Sequence, residues 1–192
     1  MVLPIVKYGH PILRKKGVPV DAITPEIRQL AMDMLETMRD AKGVGLAAQQ
    51  VGQAIQLAVF DVREVKDRPS WLELDGQRAD VDRFMPLVLI NPEIQPAAPP
   101  IDGPEGCLSF PEIYNDVCRP EAVDVTARNE KGERVGFRCG GLLARAIQHE
   151  ADHLNGILFI DRMSAEKKNE IRGELEVLQA NTKAELARSA RG

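Results

Sequence analysis

The chain has 192 residues, a net charge of −4, and 44% hydrophobic and 28% charged residues. These proportions are those of a globular domain large enough to bury a core without disulfide bonds. We find no apolar run of the roughly 20 residues that span a bilayer and no apolar signal segment at the N-terminus, so we expect no membrane partner. The negative charge argues against a general nucleic-acid binder, because such proteins are usually basic. The three irregularly spaced cysteines indicate free thiols in a reducing compartment.

The first predicted elements are an extended arm and a helix. Residues 1–23 are punctuated by Pro and Gly, which favours an extended arm. Thr24-Pro25 is a typical helix start, and the apolar residues that follow recur at spacings of three and four up to Met38. We expect this helix to end at the glycines within 42–45.

The middle of the chain predicts strands. Segments rich in β-branched and aliphatic residues predict four of them, at 55–62, 87–91, 123–129 and 133–138. Pro and Gly crowd residues 96–106, which predicts a loop. Residues 63–86 hold the only Trp and show no clear period, so we expect a long excursion that is either a lid near the site or a tolerated insertion. Two further helices are predicted, at 141 to about 153 and 164 to about 187.

Two of the only three histidines stand four residues apart, in the sequence His149-Glu150-Ala151-Asp152-His153. Residues at this spacing lie on one face of a helix, so both imidazoles can bind one metal ion. The Glu150 carboxylate between them can reach a water molecule on that ion. The pattern predicts a catalytic metal site, which usually has three protein ligands and one open position.

The spacing alone leaves the third ligand open. Phe159 stands where a metzincin would have its third His. A downstream acid, as in thermolysin-like zincins, is available as Glu166, Glu170 or Glu174. Cys107, at the end of the Pro/Gly-rich segment, offers a thiolate suited to Fe²⁺, Zn²⁺ or Ni²⁺, but Cys118 and Cys139 compete with it.

A third segment, GVGLAAQQ at 43–50, is compatible with a ligand site. Its glycines permit close approach of the backbone to a ligand, and the Gln50 amide can donate to an oxyanion. Taken alone, the segment favours a simpler interpretation, in which a helix end leads into a loop and Gln50 is solvated.

Together, the three segments resemble peptide deformylase. The motifs of that family, GxGLAAxQ, EGCLS and QHExDH, stand here complete and in order at 43–50, 105–109 and 148–153. The resemblance extends from the N-terminal arm to LFIDRMS at 158–164. There are two departures: the 63–86 segment is longer than in many members, and Tyr114 stands where some members carry an Arg.

The resemblance implies an α+β fold, with antiparallel or mixed β-sheets packed around a central helix that carries the HExxH motif, and a C-terminal helix. It also implies a single domain over 1–192, with a catalytic body at 1–163 and a C-terminal helix and tail at 164–192.

The resemblance implies hydrolysis of the N-formyl group of formyl-methionine on nascent peptides, with release of formate. One divalent ion would be held by Cys107, His149 and His153. We expect Fe²⁺ in the cell, with Zn²⁺, Ni²⁺ or Co²⁺ able to substitute. Metal-bound hydroxide would attack, with Glu150 as general base, and the Gln50 amide and the Leu108 backbone N–H would hold the oxyanion.

The resemblance also implies a substrate site and partners. The peptide would lie extended beside the backbone, and the substrate-binding residues would be Val44, Gly45, Glu105, Gly106, Leu142, Arg145 and Ala146. We expect a monomer in the bacterial cytosol that acts on N-formylated nascent peptides, in transient contact with the ribosome and without DNA or membrane partners. The alternatives are a zincin-like endopeptidase that uses a downstream Glu, and a binding module that keeps the fold without catalysis.

Overall fold

The computed structural model describes residues 1–190, which form five α-helices and nine β-strands. The helices are α1 (Pro25–Asp40), α2 (Val81–Phe84), α3 (Leu142–Leu154), α4 (Ala165–Glu170) and α5 (Arg172–Ser189). The strands are β1 (Gly45–Ala47), β2 (Leu57–Phe60), β3 (Ser70–Leu74), β4 (Gln77–Ala79), β5 (Leu87–Pro96), β6 (Pro100–Cys107), β7 (Phe110–Pro120), β8 (Ala122–Arg128) and β9 (Arg134–Gly141).

Seven strands form one sheet in the order β1-β2-β5-β8-β9-β3-β4, and every neighbouring pair is antiparallel. Strands β6 and β7 form a separate antiparallel hairpin. The predicted α+β class with antiparallel sheets and a C-terminal helix is confirmed. Strand β1 is an edge of the large sheet, and β6 has one free edge. Both strands therefore offer backbone groups to a further extended chain.

Helix α1 forms where its capping signals and apolar period predict it. The Thr24 hydroxyl accepts a hydrogen bond from the Ile27 N–H (3.4 Å), and Pro25 occupies the first helical position. Met34 and Met38 are fully buried and pack in a cluster that includes Val59 of β2. Burial of this apolar stripe fixes α1 against one face of the sheet.

Helix α3 is the most buried helix of residues 1–190, because only Gln148 and Ala151 of its thirteen residues are not buried. Its start is fixed by the excursion between β2 and β5: the Leu142 N–H donates to the Pro69 carbonyl (3.2 Å) and the Leu143 N–H to the Ser70 hydroxyl (3.0 Å). These contacts supply acceptors for N–H groups that have no partner within the helix.

The prediction of a loop at 96–106 is wrong, because most of this segment is strand β6. Pro100 and Pro104 lack a backbone N–H, but a strand with a free edge tolerates this loss. Gly103 and Gly106 occur where neighbours come close: an added Cβ would lie 2.7 Å from the Arg145 guanidinium and 2.3 Å from the Tyr114 ring, respectively. The Pro and Gly residues of this segment are therefore compatible with a strand, and its glycines allow neighbouring side chains to pack closely.

The excursion at 63–86 is more ordered than its sequence suggests. It contains the hairpin β3–β4 and the short helix α2, and β3 extends the large sheet by pairing with β9. Trp71 covers Gly140 of β9, and the Arg78 guanidinium lies 4.0 Å from the centre of the Trp71 ring. One residue of the segment, Arg68, reaches the candidate site described below.

The predicted single helix at 164–187 is instead two helices, since the backbone leaves the helical conformation at Ile171. Ile171 and Leu175 are buried in a cluster with Phe110 and Phe159. The packing of these side chains against the rest of the protein therefore determines where the helix is interrupted. The division into 1–163 and 164–192 stays a prediction, and its last two residues lie outside the described residues. No described helix is both long and apolar enough to cross a membrane.

Candidate metal centre

Cys107, His149 and His153 come together at the end of β6 and on one face of α3. One potential ligand atom from each lies within 4.8 Å of the other two, and Cys107 Sγ is 3.2 Å from His153 Nε2. Within residues 1–190 this is the only group of three His, Cys, Asp or Glu side chains so arranged. A thiolate and two imidazoles suit Fe²⁺, Zn²⁺ and similar ions, so the donor set fits one divalent metal.

The other candidates for the third ligand lie elsewhere. Cys118 is exposed on β7. Cys139 is buried in β9, where burial raises the pKa of its thiol to about 12. Glu166, Glu170 and Glu174 on α4 and α5 are exposed and do not belong to such a group. The geometry therefore favours Cys107 over the alternatives that spacing left open.

The carboxylate of Glu105 holds one of the histidines in place. Its Oε2 lies 2.9 Å from His149 Nδ1, and the Arg119 guanidinium contacts both carboxylate oxygens (2.5 and 3.0 Å). Burial would raise the pKa of Glu105, but the hydrogen bonds from His149 and Arg119 hold it at about 2. An ionised acceptor at Nδ1 leaves the other ring nitrogen free to bind a metal.

The same network extends behind α3. Arg119 Nη1 lies 2.8 Å from a carboxylate oxygen of Asp152, which also pairs with Arg162 (2.7 Å). Sequence reasoning did not identify Arg119 or Asp152 as parts of the site. The only local signal is the position of Asp152 one residue before His153, within the QHEADH motif.

Glu150 lies between the two histidines in sequence and is 4% exposed. A Cβ added to Gly45 would lie 2.7 Å from Glu150 Oε1, so the glycine allows β1 to approach this carboxylate. Glu150 Oε2 is buried and has no hydrogen-bond partner among residues 1–190. Burial raises the pKa of Glu150 to about 7. Such a carboxyl group can both accept and donate a proton near neutral pH.

Gln50 is buried and oriented rather than solvated. Its Oε1 accepts a hydrogen bond from the Ala47 N–H (2.9 Å), which turns Nε2 towards Cys107 Sγ (3.5 Å) and the Ser109 hydroxyl (3.3 Å). The interpretation of 43–50 as a helix end and loop fails here, because Gly45–Ala47 pairs with β2 as strand β1. The Gln50 amide donor therefore points to the ligand cluster.

The N-terminal arm joins the two segments that carry Gln50 and Leu108. The Val6 N–H donates to the Gln50 carbonyl (2.9 Å), and the Tyr8 N–H donates to the Ser109 carbonyl (2.9 Å). Between them, Lys7 Nζ donates to the Leu108 carbonyl (3.0 Å). The sequence predicted only an extended arm and gave no sign of this role.

A cavity of about 490 Å³ lies between the edge of the large sheet and β6, and Cys107, His149 and Glu150 are among the residues that line it, whereas His153 and Gln50 are not. All of the predicted substrate-binding residues line it, namely Val44, Gly45, Glu105, Gly106, Leu142, Arg145 and Ala146. Arg145 also has a structural role. Its guanidinium is buried and donates to Glu105 (3.0 Å) and the Val117 carbonyl (2.7 Å), so it ties the β6–β7 hairpin to α3.

Comparisons with known proteins agree with this arrangement. The family described as polypeptide deformylase matches residues 2–169. The chain belongs to the peptide deformylase family. It is 46% identical over 186 residues to the peptide deformylase of Opitutus terrae, covering 96% of each chain. It is 49% identical over 179 residues to that of Methylacidiphilum infernorum, covering 93% of this chain and 94% of the relative.

Solved structures of peptide deformylases share the fold. A plant peptide deformylase, PDF1B, superposes with a TM-score of 0.82 at 38% identity, covering 95% of this chain and 92% of that one. The enzyme from Thermus thermophilus gives a TM-score of 0.79 at 38% identity, covering 94% and 99%. The peptide deformylase family is one of metal-binding hydrolases, and the cluster of Cys107, His149 and His153 is compatible with that property.

Proposed function

We propose that this member of the peptide deformylase family hydrolyses the N-formyl group of formyl-methionine on newly synthesised proteins and releases formate and a free amine. One observation carries the proposal: the three potential metal ligands lie together, and two of them, Cys107 and His149, line a cavity between two strand edges together with Glu150. Such a cavity admits an extended chain end and brings its terminal group to the cluster.

Cys107, His149 and His153 would hold one divalent ion, Fe²⁺ in the cell, with Zn²⁺, Ni²⁺ or Co²⁺ able to substitute. When bound, such an ion lowers the pKa of water and polarises a carbonyl group. Glu105 holds the His149 ring in the orientation that this binding requires (Oε2 to Nδ1, 2.9 Å).

Glu150 acts as the proton carrier. Its carboxylate takes a proton from the attacking water as the C–O bond forms to the formyl carbon. It then gives this proton to the leaving nitrogen as the C–N bond breaks, so that the amine separates from formic acid, which loses its remaining proton to solvent and leaves as formate. A pKa of about 7 suits both steps, because the group is then neither a very weak base nor a very weak acid.

Gln50 and Leu108 stabilise the negative charge that develops on the formyl oxygen. The Gln50 amide is fixed by the Ala47 N–H (2.9 Å) with its Nε2 towards the cluster, so it needs little reorganisation during the reaction. The backbone N–H of Leu108 is the second donor. One such donor is typically worth about 10²–10³ in rate.

The peptide lies extended between β1 and β6, beside the backbone of Val44-Gly45 and Gly106. The methionine side chain packs on Val44 and on Leu142 and Ala146 of α3, all of which line the cavity. By the same family membership, we propose a monomer in the bacterial cytosol that meets nascent chains in transient contact with the ribosome.

Formate release tests this proposal. The protein loaded with Ni²⁺ is expected to release formate from formyl-Met-Ala, and Glu150→Gln is expected to lower kcat/KM by about 10²–10⁴. The matched control is Glu166→Gln, which removes an exposed carboxylate on α4 that a zincin-like enzyme could have used as ligand. Absence of formate, or cleavage of the Met-Ala bond instead, would contradict the proposal, as would full activity of Glu150→Gln.

A further inference from the structure

The charged side chains around the cavity fall into two sets. Those at its base, which we call the floor, include the buried Glu105 and Arg145, which pair with each other (3.0 Å). Those at its opening, which we call the mouth, are Lys7, Lys42, Arg68 and Glu112. They are exposed or half-buried, and three of the four are basic.

The charges of the mouth are not neutralised by the protein itself. Lys7 and Arg68 donate to carbonyl oxygens of Leu108 (3.0 Å) and Pro104 (3.1 Å), respectively. Among the salt bridges formed within residues 1–190, none includes a side chain of the mouth. The mouth therefore presents a net positive charge to whatever enters the cavity.

Arg68 is placed to act on the substrate chain. It belongs to the excursion before β3, and its Nη2 holds the carbonyl of Pro104, two residues before Gly106 on β6. In the proposed function, Gly106 lies beside the formyl-methionine backbone. An extended chain rises about 3.3 Å per residue, so the next two residues bring the substrate out of the floor and towards the mouth.

We propose that the mouth, with Arg68 as its principal contact, selects formylated peptides that carry an acidic side chain within the residues just after formyl-methionine. This inference rests on the proposed function and names its preferred substrates. A formylated chain has no charged amino group, so the charges of its first residues come from side chains alone. An Asp or Glu there meets a net positive mouth, whereas a Lys or Arg meets repulsion.

The effect is expected to be moderate, because exposed charge pairs interact weakly in water. Each pair is worth about 1.5- to 5-fold in binding at low ionic strength. Salt screens such pairs, and the Debye length falls from about 30 Å at 0.01 M salt to about 3 Å at 1 M. The preference must therefore weaken as salt is added, whereas a preference due to shape would not.

Three matched peptides test the proposal: formyl-Met-Ala-Asp-amide, formyl-Met-Ala-Asn-amide and formyl-Met-Ala-Lys-amide. The amide removes the terminal carboxylate, which would otherwise add a negative charge to each peptide. At low salt, kcat/KM is expected to fall from Asp to Asn to Lys by about threefold at each step, and by less at high salt. Dissociation constants for the inactive Glu150→Gln protein should follow the same order.

Substitutions then locate the contact. Arg68→Gln is expected to bring the Asp to Asn ratio close to one, and Arg68→Glu to reverse the order of the Asp and Lys peptides. The control is Arg83→Gln, because Arg83 lies on α2 of the same excursion, pairs with Asp80 (3.4 Å) and does not line the cavity. This control should keep the order of the native protein.

Equal kcat/KM for the three peptides at low salt would overturn the proposal, and a preference that survives Arg68→Gln would overturn the assignment to Arg68. Absence of formate from every peptide would instead contradict the proposed function, so the two failures are distinguishable.

Discussion

The floor and the mouth of the cavity use charge in opposite ways. At the floor, Glu105 contacts Arg119, Arg145 and His149, and all four side chains are buried. At the mouth, Lys42 and Arg68 face solvent without a carboxylate partner among residues 1–190. A buried charge without a partner is costly, so the charges of this Glu105 network must be paired, whereas water solvates the charges of the mouth.

The floor and the mouth are therefore suited to different roles. A fully paired network fixes side-chain positions, which a metal centre needs, because its ligands must converge on one point. Solvated charges do not fix side-chain positions, but they change how strongly a charged ligand is attracted. We therefore expect substitutions at the floor to change metal binding and stability by large amounts, and substitutions at the mouth to change substrate preference by small amounts.

The largest effect is expected from Cys107→Ala. Loss of the thiolate leaves two protein ligands, so bound metal should fall from about one ion per chain to a small fraction, and formate release by on the order of 10³-fold. Elemental analysis after gel filtration measures the metal. Cys118→Ala is the matched control, because this exposed thiol lies outside the cluster. Retention of the ion by Cys107→Ala would indicate a zincin-like site with a different third ligand.

A smaller effect is expected from acid on the metal-free protein. The pKa of Glu105 lies at about 2 in the fold, against an ordinary value of 4.5, because His149 and Arg119 outweigh the effect of burial. A depressed pKa stabilises the fold fully above pH 4.5, and this stability is lost as the pH falls from 4.5 to 2. The shift corresponds to about 3 kcal/mol of unfolding free energy.

Urea unfolding between pH 2.5 and 6 measures this dependence. Glu105→Gln should lower stability at every pH, because it leaves the buried Arg145 without a carboxylate partner and the buried Arg119 with Asp152 alone, and it should flatten the slope between pH 2.5 and 4.5. Asp124→Asn, which removes an exposed pair with Arg138 (2.8 Å), should keep most of the slope. An unchanged slope in Glu105→Gln would mean that another group carries the acid sensitivity.

The sequence predicted the elements whose signals are local. Helix α1 has its cap at Thr24 and a continuous apolar period, and the two histidines of α3 define one face by spacing alone. The prediction from sequence was wrong for β6, where the free edge tolerates Pro residues and close packing requires Gly residues. It also failed at Ile171, where burial against Phe110 and Phe159 interrupts a helical pattern. These outcomes depend on tertiary neighbours that a local pattern does not contain.

The residues of the candidate site show the same difference between local signals and tertiary contacts. Family motifs indicated three candidate ligands, Glu150 and Gln50; the structure brings the three candidate ligands together and places the Gln50 amide beside Cys107. Glu105 was expected only as a pocket wall, because its partners Arg119 and Arg145 lie 14 and 40 residues away. The sequence left open whether the excursion that carries Arg68 lies near the site, since only the fold of the excursion brings Arg68 to Pro104. Long-range ion pairs leave no periodic signal in a sequence.

The smallest effect is expected from Glu112→Gln, which removes the one acidic side chain of the mouth. Since its carboxylate repels an acidic substrate residue, the substitution should raise kcat/KM for formyl-Met-Ala-Asp-amide by about 1.5- to 2-fold at low salt, and the lysine peptide should lose a similar factor. Metal content and urea unfolding should not change, because Glu112 is exposed and belongs to no pair of the floor. A gain for both peptides, or a loss of bound metal, would show that the mouth and the floor are not independent.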